Sequence, residues 1–145
     1  MLFDQLINRG TLPALEKMLA FTEARHRVIT ENVANADTPG YAAKQLDAKA
    51  FQHALRAAID EAKETGRTDL RLRESREFRQ DAKGRLIVTP STEPPENVLF
   101  HDGTNMRLER QMAMLAENAM MHQAATELLR SKFDGLLKAI RGTVR

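Results

Sequence analysis

The chain has no cysteine and no tryptophan, and its aromatic residues are six Phe and one Tyr. Without cysteine there is no disulfide staple, no thiolate catalysis and no Cys-ligated metal. No window approaches the roughly 18 apolar residues that a membrane-spanning helix needs. Met1 to Gly10 carries neither a basic region nor a long apolar run, so it does not read as a secretory signal peptide. Charge of one sign is missing too. The net charge is +2 with 29% of residues charged, which argues against the one-sided positive field of a nucleic-acid binder.

The pattern of Leu, Ala and Met is the positive feature. In the last third, Leu108, Met112, Leu115, Ala119, His122, Thr126, Leu129, Phe133, Leu136 and Ile140 step by fours and threes. Leu12, Leu15, Leu19, Thr22, His26, Ile29, Val33 and Ala36 do the same near the start. Such steps hold one helix face, and sustained heptads set that face against another helix. The chain is expected to be mainly α. Two long terminal helices form an antiparallel, coiled-coil-like pair, with a short helix and an irregular or β-hairpin insert between them. One register aligns Leu12 with Leu136, Leu15 with Phe133, Leu19 with Leu129, Ile29 with Ala119 and Val33 with Leu115. It also brings Thr22 to Thr126 and His26 to His122. The seams could equally face other chains.

Turn chemistry divides the chain. Thr11 can cap the first long helix and Pro13 is tolerated in its first turn. The helix is expected to reach about Asn35. Asp37-Thr38-Pro39-Gly40 then stops it, with Pro39-Gly40 suited to the centre of a type II turn. Residues 1–40 and 104–145 are expected to form the helical core, and 41–103 an insert. Within the insert, Phe51, Leu55, Ala58, Ile59 and Ala62 keep helical spacing over about 47–63. A hairpin is expected at about 77–89 around the loop Asp81-Ala82-Lys83-Gly84. Pro90, Pro94 and Pro95 suggest an extended linker over 90–100. Thr104 or Asn105 can cap the last helix, which is expected to run to about Arg141.

Chemistry-bearing constellations are scarce. No His-x-x-x-His or Glu-x-x-His spacing, glycine-rich phosphate loop or nucleophile elbow is present. His26 and His122 lie on the seams, but a metal site there lacks a third ligand. His101-Asp102 is an adjacent pair without catalytic geometry. No catalytic residue, cofactor or metal is expected. Arg67, Arg71, Arg73, Arg76, Arg79, Lys83 and Arg85 alternate with Asp69, Glu74, Glu77 and Asp81. That stretch reads either as an electrostatic contact with a neighbouring subunit or as a solvated insert.

Asn32-Val33-Ala34-Asn35-Ala36-Asp37-Thr38-Pro39-Gly40-Tyr41 resembles the signature of flagellar rod and hook axial proteins, in which an N-terminal helix ends in an Asn-rich turn before Thr-Pro-Gly-Tyr. Asp102-Gly103-Thr104-Asn105, Leu108-Glu109-Arg110-Gln111-Met112, Glu117-Asn118-Ala119, Gln123-Ala124 and Lys132-Phe133 through Ile140 are similar to the proximal rod members of that family. The likeness covers about 1–60 and 95–141. It departs at Met106-Arg107-Leu108, where an acid is replaced by Arg107, and fades over about 63–95.

The resemblance implies a structural subunit of the basal-body rod in the periplasm. It implies export through the flagellar type III apparatus without a cleaved signal peptide. Implied partners are other rod proteins, the rod base with its export gate, and further copies in a helical stack. An assembly seam of Leu12, Leu15, Leu19, Ile29, Val33, Leu108, Met112, Leu115, Leu129, Phe133, Leu136 and Ile140 is then expected. The turn motif is Asn35, Asp37, Thr38, Pro39, Gly40 and Tyr41. Another rod or hook axial protein, or a cytosolic helical adaptor using the same seams, is the alternative.

Overall fold

The computed structural model describes residues 11–67, 69–92 and 103–142, with side chains of the last segment described from Leu108 onward. Helix α1 spans Thr11–Ala34, strand β1 Lys44–Gln45 and helix α2 Ala48–Thr65. Strands β2 (Phe78–Gln80), β3 (Leu86–Val88) and β4 (Ser91–Thr92) follow, and helix α3 covers Gly103–Ile140. At ~1.5 Å per residue α3 is about 57 Å long. The chain is mainly helical, with α1 and α3 packed along each other.

Each boundary has a local cause. The Asp47 carboxylate accepts from the amides of Lys49 and Ala50, capping α2 at its start. Glu77 completes this cap from a distance, taking the free Asp47 amide at 2.7 Å. In a capping box that amide is served by the helix's own third residue, which here is Ala50. Gly66 ends α2 at φ 67°, a left-handed stop. The hairpin pairs Phe78 with Val88 and Gln80 with Leu86. Its loop is closed by Asp81, whose Oδ1 accepts from the Lys83 and Arg85 amides.

The core gathers around Phe51. Its ring lies flat on Phe21 of α1 and edge-on to Phe78 of β2. Ala14, Val28, Leu46, Leu55, Ala58, Leu70 and Leu72 surround these rings. The insert therefore shares one core with α1. Leu70 and Leu72 alternate as the sequence suggests, and both are buried although neither belongs to a strand.

The extended linker expected from Pro90 onward begins otherwise: Ser91–Thr92 pairs antiparallel with Lys44–Gln45. This short ladder is compatible with Pro90 because the proline stands just outside it. Residues 93–100, the His101-Asp102 pair and the stretch 1–10 lie outside the described residues, as do the side chains of Thr104 and Asn105. The backbone of α3 is already helical at Gly103.

The register expected for the terminal helices is corrected. Thr22 meets His122 (Thr22 Oγ1 to Nδ1, 2.8 Å), and His26 faces solvent. Asn118 Nδ2 donates to the Thr22 carbonyl at 2.8 Å, and Arg25 Nη2 to Glu117 at 3.2 Å. The pairing is displaced by one helical turn, about 6 Å along the axis. Polar side chains on and between the heptad positions hold it. They must find partners when buried, and their geometry is narrower than that of Leu against Leu.

Candidate assembly interface

The Thr-Pro-Gly-Tyr turn is held by side chains of the helix it terminates. Asn35 Nδ2 donates to the Glu31 carbonyl at 2.9 Å, and the Thr38 hydroxyl donates to Asn35 Oδ1 at 3.3 Å. The Tyr41 amide closes on the Thr38 carbonyl at 3.2 Å, with Gly40 at φ 75°. A type II turn requires that positive φ. Asp37, Thr38, Pro39 and Gly40 are exposed, while Asn35 and Tyr41 are half-buried.

Asn32 ties the turn to the helix pair. Its Oδ1 accepts from the Lys44 amide at 2.9 Å and the Tyr41 hydroxyl at 3.1 Å. Its Nδ2 donates to the Lys44 carbonyl at 2.7 Å and reaches Gln111 Oε1 of α3 at 3.4 Å. One carboxamide thus pairs with Lys44 as a strand backbone would, and also touches α3. Burial pushes the Tyr41 hydroxyl pKa up, and the charge of Glu31 adds to the effect.

The side chains that α3 buries most fully against the rest of the chain are polar or small. Gln111, Asn118 and Ala125, at heptad intervals, are its buried side chains among the described residues. From α1 they meet Thr22, Arg25 and Asn32, all 5% exposed or less. Arg25 Nη1 and Asn118 Oδ1 are buried without a hydrogen-bond partner. Each such orphan costs ~1–3 kcal/mol. A seam of this kind specifies register and sacrifices stability. Sequence reasoning missed Arg25, Asn32, Gln111 and Asn118 because they fall between the apolar heptad positions. The one signal was Asn or Gln recurring beside an apolar stripe.

The expected seam residues divide into three groups. Leu12, Leu15 and Ile29 are buried, while Leu19, Val33, Leu115, Leu129 and Leu136 are half-buried. Leu108, Met112, Phe133 and Ile140 are exposed at 38%, 51%, 52% and 65%. The outward row Met112, Ala119, Thr126, Phe133 and Ile140 follows the buried row Gln111, Asn118 and Ala125 by one residue. It therefore lies about 100° further around α3.

On α1, the row Leu19, His26 and Val33 likewise follows Met18, Arg25 and Asn32 by one residue. The helices run antiparallel, so offsets in the same numerical sense fall on the same side of the pair. The insert occupies the other side, where Ala14, Phe21 and Val28 of α1 and Met121 of α3 pack into the core. The pair thus carries a two-helix face, heptad-spaced and partly apolar, directed away from the insert. Exposed apolar stripes of this extent mark interaction surfaces.

No arrangement for chemistry accompanies this face. Among the described residues no three His, Asp or Glu side chains gather to hold a metal ion. No described helix is long and apolar enough to cross a membrane. One shallow cleft is lined by Asn32, Tyr41, Leu108 and Gln111.

A polar seam that sets register and an apolar face left open define a structural subunit that works by packing against neighbours. No family model matches the chain. It is 30% identical over 133 residues to the flagellar basal body rod protein FlgB of Bacillus subtilis, spanning 92% of this chain and 95% of that protein. The FlgB of Cereibacter sphaeroides is 30% identical over 141 residues, 92% and 96% of the two chains. That of Salmonella typhimurium is 27% identical over 128 residues, 88% and 90%. The chain belongs to the FlgB family of flagellar basal body rod proteins. It is a structural component of the rod, serves motility, and is not an enzyme.

Proposed function

We propose that the chain enters the rod through the two-helix face opposite the insert, with the terminal helices forming the shaft and the described part of the insert, residues 41–67 and 69–92, standing to one side. The exposed row Met112, Ala119, Thr126, Phe133 and Ile140 carries this reading. Seven-residue spacing on an uncovered face fits a helix of a neighbouring subunit. Leu108, Leu129 and Leu136 flank the row, and Leu19 and Val33 extend it onto α1.

Neighbours are other rod proteins, further copies of this chain and the rod base with its export gate. Contacts between unlike faces propagate as a helical stack, which suits a shaft. The subunit reaches the periplasm through the flagellar export apparatus.

Phe133→Asp combined with Met112→Asp tests the proposal. Both side chains are exposed in the free subunit, so its helical circular dichroism and unfolding midpoint stay close to wild type. Incorporation into isolated basal bodies and swimming are lost. Wild-type incorporation of the folded double variant overturns the proposal.

A further inference from the structure

Asp69, Glu77 and Asp81 beside the hairpin are engaged inside the fold, and several of the cations around them are not. Asp69 accepts from Arg71 Nε at 2.9 Å. Asp81 Oδ2 accepts from Arg85 Nε at 2.7 Å, while its Oδ1 holds the loop amides. Both carboxyls are held below the ordinary carboxylate range, Asp69 chiefly by the Arg71 bond and Asp81 chiefly by the Arg85 amide. Glu77 turns inward: one oxygen takes the Asp47 amide and the other the Ser91 hydroxyl at 2.5 Å.

The side chains of Arg73, Arg76, Arg79 and Lys83 are exposed, and no side-chain hydrogen bond or ion pair engages them among the described residues. Glu74 is the single carboxylate left among these four cations. The platform beneath is fixed. Lys17 Nζ donates to the Gly84 carbonyl at 2.8 Å. Gln80 accepts from the Leu72 amide at 2.8 Å and donates to the carbonyls of Leu70 and Gly84 at 2.9 and 3.1 Å.

We propose that the outer surface of this hairpin docks a carboxylate-rich surface of an adjoining protein subunit. The proposal rests on the chain's place in the rod. Guanidinium groups pair carboxylates in forked geometry, and of the four acids in this stretch only Glu74 is left to offset four cations. A protein surface fits better than a nucleic acid. Phe78 is buried, so no aromatic platform is offered for bases, whereas Ile87, paired with Arg79 in the ladder, is 36% exposed among the cations. Arginine around an exposed aliphatic side chain is the composition of a protein interface.

The test compares wild type with Arg73→Gln/Arg76→Gln/Arg79→Gln/Lys83→Gln and with Arg73→Lys/Arg76→Lys/Arg79→Lys. Arg76→Gln/Arg79→Gln serves as a milder second variant. Unfolding midpoints of the purified chains establish that each folds. The readout is the amount of subunit retained in detergent-isolated basal bodies washed from about 0.05 to about 0.5 M NaCl, a range over which exposed charge is progressively screened.

Retention of the four-Gln variant falls at least about tenfold, and the two-Gln variant dissociates at lower salt than wild type. The Lys variant, which keeps the charge and loses the fork, is retained at a level between wild type and the four-Gln variant. Equal retention of wild type and both Gln variants across the series overturns the proposal. Flotation with phosphatidylglycerol vesicles separates the lipid alternative: vesicle binding by wild type that the four-Gln variant loses overturns it in favour of a membrane. Absence of wild type itself from basal bodies defeats the rod placement, and the proposal with it.

Discussion

The ring of Phe21 lies parallel to that of Phe51, centroids 4.0 Å apart and planes within 1° of parallel. This contact lies at the centre of the packing between the first terminal helix and the insert, and both rings are 1% exposed. Phe51→Ala is expected to cost about 3–5 kcal/mol, and Phe21→Ala a similar amount. The double variant should lose less than the two single losses combined, with a coupling of ~0.5–1.5 kcal/mol for the stacked pair. Urea unfolding of the four chains measures it. Strict additivity would mean that the rings do not touch in solution.

Gly40 carries the turn after α1 at φ 75°, and a Cβ placed there meets nothing within 4 Å. The penalty for a side chain is therefore backbone strain alone. Gly40→Val is expected to destabilise by ~1–2 kcal/mol, and Gly40→Asn by less, because Asn tolerates the left-handed region. Equal unfolding midpoints for Val and Gly would refute the turn assignment.

Asn118 trades stability for register. Its Nδ2 bonds the Thr22 carbonyl, but its Oδ1 is orphaned. Asn118→Leu removes the orphan acceptor and is expected to leave unfolding stability within about 1 kcal/mol of wild type or to raise it. Register should suffer. With no native cysteine, Thr22→Cys/His122→Cys reacts with a short bis-maleimide within one chain, and His26→Cys/His122→Cys reacts poorly. Adding Asn118→Leu should narrow that difference; an unchanged ratio would place register control elsewhere.

Asp81 makes the hairpin acid-sensitive. Its carboxyl titrates below the ordinary value of 3.8 because the Arg85 amide and guanidinium and the Lys83 amide favour the charged form. A depressed acid contributes stability that is present above the unfolded-state value and lost as pH falls through the folded one. Hydrogen exchange at the Lys83 and Arg85 amides should accelerate as pH is lowered below about 3.8, after correction for intrinsic rates. Asp81→Asn should abolish that dependence. An unaltered acid limb in the variant would rule Asp81 out.

The helices, their stops and the hairpin were legible in the sequence because their causes are local. Pro39-Gly40 and the Asp81 loop act within a few residues of the backbone they shape, and the observed turn and hairpin follow them. The turn motif and the heptad spacing were readable for the same reason, and so was the family. Which face of each helix turns inward was not. Heptad periodicity marks a stripe able to pack, yet it is silent on whether the stripe meets the same chain or another.

The tertiary structure decided that by giving the inner side of α3 to Gln111, Asn118 and Ala125, and the outer side to Met112, Phe133 and Ile140. It also shifted the pairing by a turn, putting Thr22 and not His26 against His122. Leu against Leu is satisfied in many registers. The hydrogen bonds that Asn32, Asn118 and Thr22 make between α1 and α3 are directional and hold in one.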